Sequence, residues 1–145
     1  MAMSLNVDAT GEFLMAGVMG TENGVRVWNI KDGELVRYYE GNGFVPVNPQ
    51  MLGNWIWDAN GVRMEMIDIP SWETKYELDA YGGISHVISS DNKYLAGMES
   101  EQGWTYDPNN PTAVPKSFIK IYDMEANKVI YEEEYDAIQS APSKV

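Results

Sequence analysis

Apolar and polar residues alternate along this chain in short runs, and one such run occurs three times. Val25-Arg26-Val27-Trp28-Asn29-Ile30 reappears in chemical type as Met64-Glu65-Met66-Ile67-Asp68-Ile69 and as Ile119-Lys120-Ile121-Tyr122-Asp123-Met124. A period of two marks a half-buried strand, because successive side chains of a strand point to opposite faces. The offsets are 39 residues (25 to 64) and 55 residues (64 to 119), within the range of repeat lengths that builds propellers and related arrays. No stretch carries a helical period with caps at both ends, so the pattern predicts an all-β chain with little or no helix. The nearest candidate, Glu132 to Ile138, reads as the end of an outer strand running into a polar tail.

The repeats match on both sides of this core run. Upstream, Asp8-Ala9-Thr10-Gly11 precedes the apolar strand Phe13 to Gly17, and Ser89-Ser90-Asp91-Asn92 precedes Tyr94 to Gly97. Downstream, Lys31-Asp32-Gly33-Glu34-Leu35-Val36 matches Glu125-Ala126-Asn127-Lys128-Val129-Ile130, which gives Gly33 and Asn127 one turn position. Both residue types tolerate the positive φ of a tight hairpin turn. The middle unit is more degenerate. It keeps Asn60-Gly61 as an echo of Asn23-Gly24 but places Trp72 where the turn glycine would be.

This order of strands and turns resembles one blade of a β-propeller of the WD40 or YVTN type. The resemblance covers the first and third units well and the second poorly. No unit has the Gly-His pair of a strict WD40 repeat, and the Trp-Asp dipeptide is approximated by Trp28-Asn29 and Tyr122-Asp123, so the broader propeller superfamily is the better label. The resemblance implies blades of four-stranded antiparallel sheet, in approximate units 1–43, 44–83 and 84–138 with a polar tail at 139–145. Propellers close with about four to eight blades, so about three blades imply an incomplete ring. An open arc leaves apolar faces in water, which soluble proteins rarely tolerate. Identical copies, other chains or further blades of a longer polypeptide are then expected to complete it. Met3 to Val7 matches Ile84 to Ile88, which sets the start of the chain at a blade boundary.

Charge and composition narrow the partners. Asp and Glu number 22 against 10 Lys and Arg, a formal net charge of −12. Such a surface repels phosphate backbones and anionic headgroups, so nucleic acid is not an expected partner. No cysteine is present, which removes disulfides and thiolate chemistry without fixing a compartment. No segment approaches the roughly 18 apolar residues of a membrane span. Met1 to Leu5 has neither a basic region nor an apolar run of a signal peptide, while a processed extracytoplasmic chain stays compatible with the sequence.

Catalytic motifs are nearly absent, and no cofactor is implied. There is no nucleophile elbow, phosphate-binding loop or dinucleotide fingerprint. The single histidine, His86, lies in the strand that, by resemblance to propellers, runs innermost along the channel. A channel-facing His86 offers an acid, a base or a ligand; packed between blades it is structural. Glu132-Glu133-Glu134 places two carboxylates on one face of an extended segment, which fits a solvated outer strand that guards a sheet edge. The nine methionines suit the packing of gaps between blades.

The segment singled out for recognition is the insertion of the third unit, between Gly97 and Phe118. Long connections carry specific surfaces in repeat proteins, and Trp104 and Tyr106 are residue types favoured at interface hot spots. Asp107 and Asn109, with Asn110, offer oxygens but lack the spacing of a calcium loop, so no metal site is expected. Two function classes remain. One is a non-enzymatic interaction module that completes its ring with other copies or chains. The other, implied by the resemblance to YVTN-type propellers, is the propeller portion of an extracytoplasmic redox enzyme of quinoprotein type, or of a lyase, with catalytic groups on another chain. Carbohydrate binding through Trp55, Trp57 or Trp104 is a third reading on composition alone.

Overall fold

A computed structural model describes residues 2–20, 22–41, 47–48, 50–59, 61–79, 85–100 and 117–135. They form strands and turns, with no helix among the described residues. The first sheet contains β1 (Ala2–Val7), β2 (Phe13–Val18), β3 (Gly24–Asn29) and β4 (Leu35–Glu40). The second contains β5 (Val47–Asn48), β6 (Met51–Asp58), β7 (Gly61–Asp68) and β8 (Glu73–Leu78). The third contains β9 (Ser85–Ile88), β10 (Tyr94–Ser100), β11 (Ser117–Asp123) and β12 (Lys128–Tyr135). Each sheet is an antiparallel meander whose strands lie side by side in chain order. The unit boundaries near 44 and 84 and the tail 139–145 lie outside the described residues.

Local irregularities repeat in all three sheets and fix which residues are equivalent. The ladder to the outer strand slips between Val27 and Trp28, between Met66 and Ile67, and between Ile121 and Tyr122. Each slip is a bulge, which strengthens the local twist and turns the outer strand. Trp28, Ile67 and Tyr122 therefore hold one position, as the sequence pattern predicts. The following turn contains Gly33, Trp72 and Asn127 at φ 75°, 60° and 46°. Asn and Gly enter this left-handed region at low cost, whereas a bulky Trp needs compensation. Trp72 finds it across the sheets: its ring meets Phe13 edge-on at 5.2 Å, and its carbonyl accepts the Tyr39 hydroxyl at 2.9 Å.

Register also shows how the inner strands correspond. Leu14 pairs with Trp28, Leu52 with Ile67 and Leu95 with Tyr122. The equivalent residue to Gly97 is thus Ala16 rather than Gly17, so the glycines that end the matching runs in sequence are one register apart. Gly97 has its own cause. A Cβ there would lie 2.1 Å from Cδ2 of His86, its partner on β9.

The sheets stack through two apolar seams. We call the side of each sheet that looks to the preceding sheet its front and the other side its back. Met15, Val25 and Val27 on the back of the first sheet pack on Leu52, Ile67 and Ile69 on the front of the second. Met51, Trp55, Met64 and Met66 on the back of the second pack on Leu95, Tyr122 and Met124 on the front of the third. Methionine fills both seams, and Met15, Met64 and Met66 are fully buried. The matching runs would seat Ile119 and Ile121 between two sheets, as they do Val25 and Val27, and the structure corrects this. Ile119 and Ile121 hold the positions of Val25 and Val27 but are only half-buried, because among the described residues no sheet follows the third to cover its back. No helix of the described residues is long and apolar enough to cross a membrane.

Candidate functional site

Two apolar faces lie open at the ends of the stack. On the front of the first sheet, Leu5, Leu14, Ala16, Val18, Trp28 and Ile30 line one shallow concavity. On the back of the third sheet, Val87, Tyr94, Ala96, Ile121 and Ile130 line another. Leu5 is 67% exposed and Val87 64%. The register gives these faces meaning. Leu14, Trp28 and Ile30 are the positions that, as Leu52, Ile67 and Ile69, receive the first sheet, and that, as Leu95, Tyr122 and Met124, receive the second. Tyr94 and Ile121 are likewise the positions that, as Phe13 and Val27 or as Met51 and Met66, seat on the next sheet. Each open face is one half of a seam that the chain builds twice.

The front of the third sheet carries a different chemistry at the same positions. Glu99, on β10, is buried and accepts a hydrogen bond from the Tyr122 hydroxyl at 2.6 Å. Its other oxygen lies 3.3 Å from Lys120 Nζ, which also reaches Glu132 on β12 at 3.4 Å. His86 Nε2 stands 3.8 Å from Glu99, without a hydrogen-bond partner, and the imidazole meets the Trp55 ring edge-on at 5.6 Å. Burial raises the Tyr122 phenol far above its ordinary value, helped by the hydrogen bond to Glu99 and by the charges of Glu99, Glu132 and Asp79. Side chains of His86 and Glu99 are 2% and 1% exposed, so the cluster is enclosed between two sheets. The polar contacts of Glu99, Tyr122, Lys120 and Glu132 lie within the third sheet, and His86 meets the second sheet at Trp55.

The candidate residues from sequence fall in two groups. His86 lies on β9, the innermost strand of its sheet, with its side chain over Gly97 and against Trp55 of the second sheet. Trp55 is buried in that seam. Trp104, Tyr106, Asp107, Asn109 and Asn110 lie outside the described residues, as does the side chain of Trp57. Among the described residues no group of three or more His, Asp or Glu is arranged to hold a metal. The acidic run divides by face: Glu132 meets Lys120 on one side of β12, and Glu133 accepts the Tyr131 hydroxyl on the other. Sequence reasoning missed the roles of Glu99, Lys120 and the Tyr122 hydroxyl. The signal was present, since Glu99 stands where the other two repeats have Val18 and Ile56. Aligning the repeats on their glycines hides it; aligning them on Leu14, Leu52 and Leu95 reveals it.

No protein-family profile matches the sequence, and no curated protein matches it by sequence. Solved structures do match in shape. Hydrazine synthase of Kuenenia stuttgartiensis is 14% identical with a TM-score of 0.67, over 94% of this chain and 38% of that one. Acylaminoacyl peptidase of Pyrococcus horikoshii is 12% identical with a TM-score of 0.67, over 94% of this chain and 25% of that one. The β-propeller domain of the trilobed protease of Pyrococcus furiosus is 16% identical with a TM-score of 0.59, over 94% and 43%. The chain thus spans about a quarter to two fifths of the length of these structures. Identities this low speak to fold alone. Three antiparallel four-stranded sheets stacked in chain order, matched to such domains, make this chain a partial β-propeller whose ring is not closed within it.

Proposed function

We propose that the chain is a non-enzymatic interaction module whose three blades complete a ring with blades from other copies or chains. The observation that carries this reading is the register of the two open faces: each presents in water the positions that are buried at both seams of the same chain. Apolar area on this scale is rarely left uncovered, and its burial is the main favourable term in association. The Glu99 cluster supports a structural role, because the Glu99 and His86 side chains are buried and Glu99 is engaged by the Tyr122 hydroxyl and Lys120. Native mass spectrometry, with apolar dye binding as a second readout, tests the reading. Expected is a particle heavier than one 16.3 kDa chain, or a lone chain whose open faces take up dye. A lone chain that unfolds cooperatively and takes up no dye contradicts it.

A second reading draws on the enzymes among the structural neighbours, hydrazine synthase and acylaminoacyl peptidase. Here the blades belong to the propeller portion of an extracytoplasmic redox enzyme or a lyase whose catalytic groups lie on another chain, although the peptidase among these neighbours is a hydrolase. A catalytic chain or domain bound stoichiometrically in the purified particle favours it.

A further inference from the structure

We propose that a second copy of this chain covers both open faces, the back of the third sheet in each copy seating on the front of the first sheet in the other, to close a ring of two chains. This rests on the ring-completing role proposed above and names the partner. The chain carries both halves of the missing seam. The back of its third sheet offers Tyr94, Ala96 and Ile121, and the front of its first sheet offers Leu14, Trp28 and Ile30. A partner that closes the ring must cover both faces, and a copy of the same chain brings the matching half for each. Such a contact joins unlike surfaces, and contacts of that kind give a ring when the rotation closes and a filament when it does not. Two copies of three sheets supply six, within the about four to eight blades that close a propeller.

The existing seams also specify how the outer strands meet. At the first seam Tyr39, on the outer strand, reaches the turn residue Trp72 of the following sheet, and Arg37 lies 5.5 Å from the centre of its ring. At the second seam the backbone N–H of Asp79, just after the outer strand, donates to the side chain of turn residue Asn127 at 3.3 Å. Tyr39 and Leu78 pair with Val25 and Met64, and the residue paired with Ile119 at that position is Glu133. The same rule applied to the missing seam brings Glu133 and Glu134 of one copy to the turn Lys31-Asp32-Gly33 of the other. Lys31 and Glu133 are both exposed in the single chain. The Asp32 carboxylate is turned into its own loop, where it accepts the N–H of Glu34 at 2.9 Å. Glu133 and Glu134 of one copy then meet Lys31 of the other, in a turn that also carries Asp32.

The test uses the full chain and two variants at exposed positions, Ile30→Asp on the first face and Ile130→Asp on the second, 48% and 52% exposed. Sedimentation equilibrium at low micromolar concentration is expected to give twice the mass of one chain. Each variant is expected to fall to the mass of one chain with an unchanged circular dichroism spectrum. Mixed together, they should regain the double mass, since one keeps an intact third-sheet face and the other an intact first-sheet face. Zero-length carbodiimide crosslinking of mixed isotope-labelled and unlabelled wild-type chains should join Lys31 of one copy to Glu133 or Glu134 of another. A wild-type monomer, a particle of more than two chains, or a dimer indifferent to both variants would overturn the proposal. If the wild type is a monomer whose dye binding drops in both variants, the second copy is wrong and another chain remains the ring-completing partner. A monomer without dye binding overturns both.

Discussion

The front of the first sheet and the front of the third occupy the same register and are built from opposite materials. Where the first has Leu5, Ala16 and Val18, the third has His86, Gly97 and Glu99, while Arg26 and Lys120 at the next equivalent position are alike in charge. Transfer energetics alone would bury the first set and leave the second in water. In the chain Leu5 is exposed while the side chains of His86 and Glu99 are buried, because a preceding sheet covers the third and none among the described residues covers the first. Apolar residues at the equivalent positions Leu52 and Leu95 are buried under a preceding sheet; the polar set shows what a seat costs when its chemistry must be satisfied internally. Glu99 is tolerated because Tyr122 and Lys120 engage its two oxygens. Replacing buried ionic sets with well-packed apolar residues is often neutral or stabilising, so the set is weak evidence of added stability.

The largest way to break this comparison is to remove the acceptor at its centre. Glu99→Ala leaves Lys120, the Tyr122 hydroxyl and His86 facing an empty site between sheets, and losing one member of a buried charged pair costs about 3–5 kcal/mol. Urea denaturation should show that loss. Converting three positions of the third sheet towards the first, with His86→Leu, Gly97→Ala and Glu99→Val, and removing the charge left behind with Lys120→Met, should cost far less than Glu99→Ala alone, since well-packed apolar replacements of buried ion pairs are often neutral. A quadruple variant as unstable as the single one would mean that the polar set is indispensable to the seam.

A covered and an uncovered leucine at the same position sharpen the contrast. Leu52 is fully buried at the first seam, and Leu52→Ala should cost about 2–5 kcal/mol. Leu14→Ala, at the equivalent half-buried position on the open face, should cost distinctly less when the chain is held as a monomer. Equal losses would show that the first face is covered from within the chain.

Gly97→Ala probes the contact that separates Gly97 from Ala16. The added methyl meets the His86 ring, and overpacking of this kind costs about 1–3 kcal/mol. Adding His86→Leu, which restores the Leu5 and Ala16 pairing of the first sheet, should recover most of the loss in a thermal melt. Failure to recover would locate the strain in the backbone.

The smallest effect lies in the turns. Burial opposes the charge on Asp8, but hydrogen bonds from the Thr10 hydroxyl and from the backbone N–H groups of Phe13, Thr10 and Glu12 outweigh it and lower its pKa below 3.8. A carboxylate lowered on folding stabilises the native state above its unfolded value, and the contribution is lost as pH falls through the native value. Stability followed by fluorescence below pH 3.8 should therefore decline less steeply in Asp8→Asn than in the wild type. The same slope in both would assign the acid sensitivity to other carboxylates.

What the sequence determined by itself was local and periodic. The alternation around Val25, Met64 and Ile119 set strands, and turn residues at fixed offsets set hairpins, because backbone geometry acts over a few residues and repeats with the pattern. Even the exception, Trp72 in a glycine position, could be seen as an exception. The tertiary structure decided three further matters. It decided that Val27 is buried while Ile121 is half-exposed, since burial depends on whether another sheet follows. It decided that His86 and Glu99, 13 residues apart in sequence, face one another through the register of β9 on β10 and join Lys120 and Tyr122 across the insertion. And it turned two strips of ordinary apolar residues into matching halves of a seam. That last property belongs to neither strip alone, because it exists only once three sheets stack with one face left over at each end.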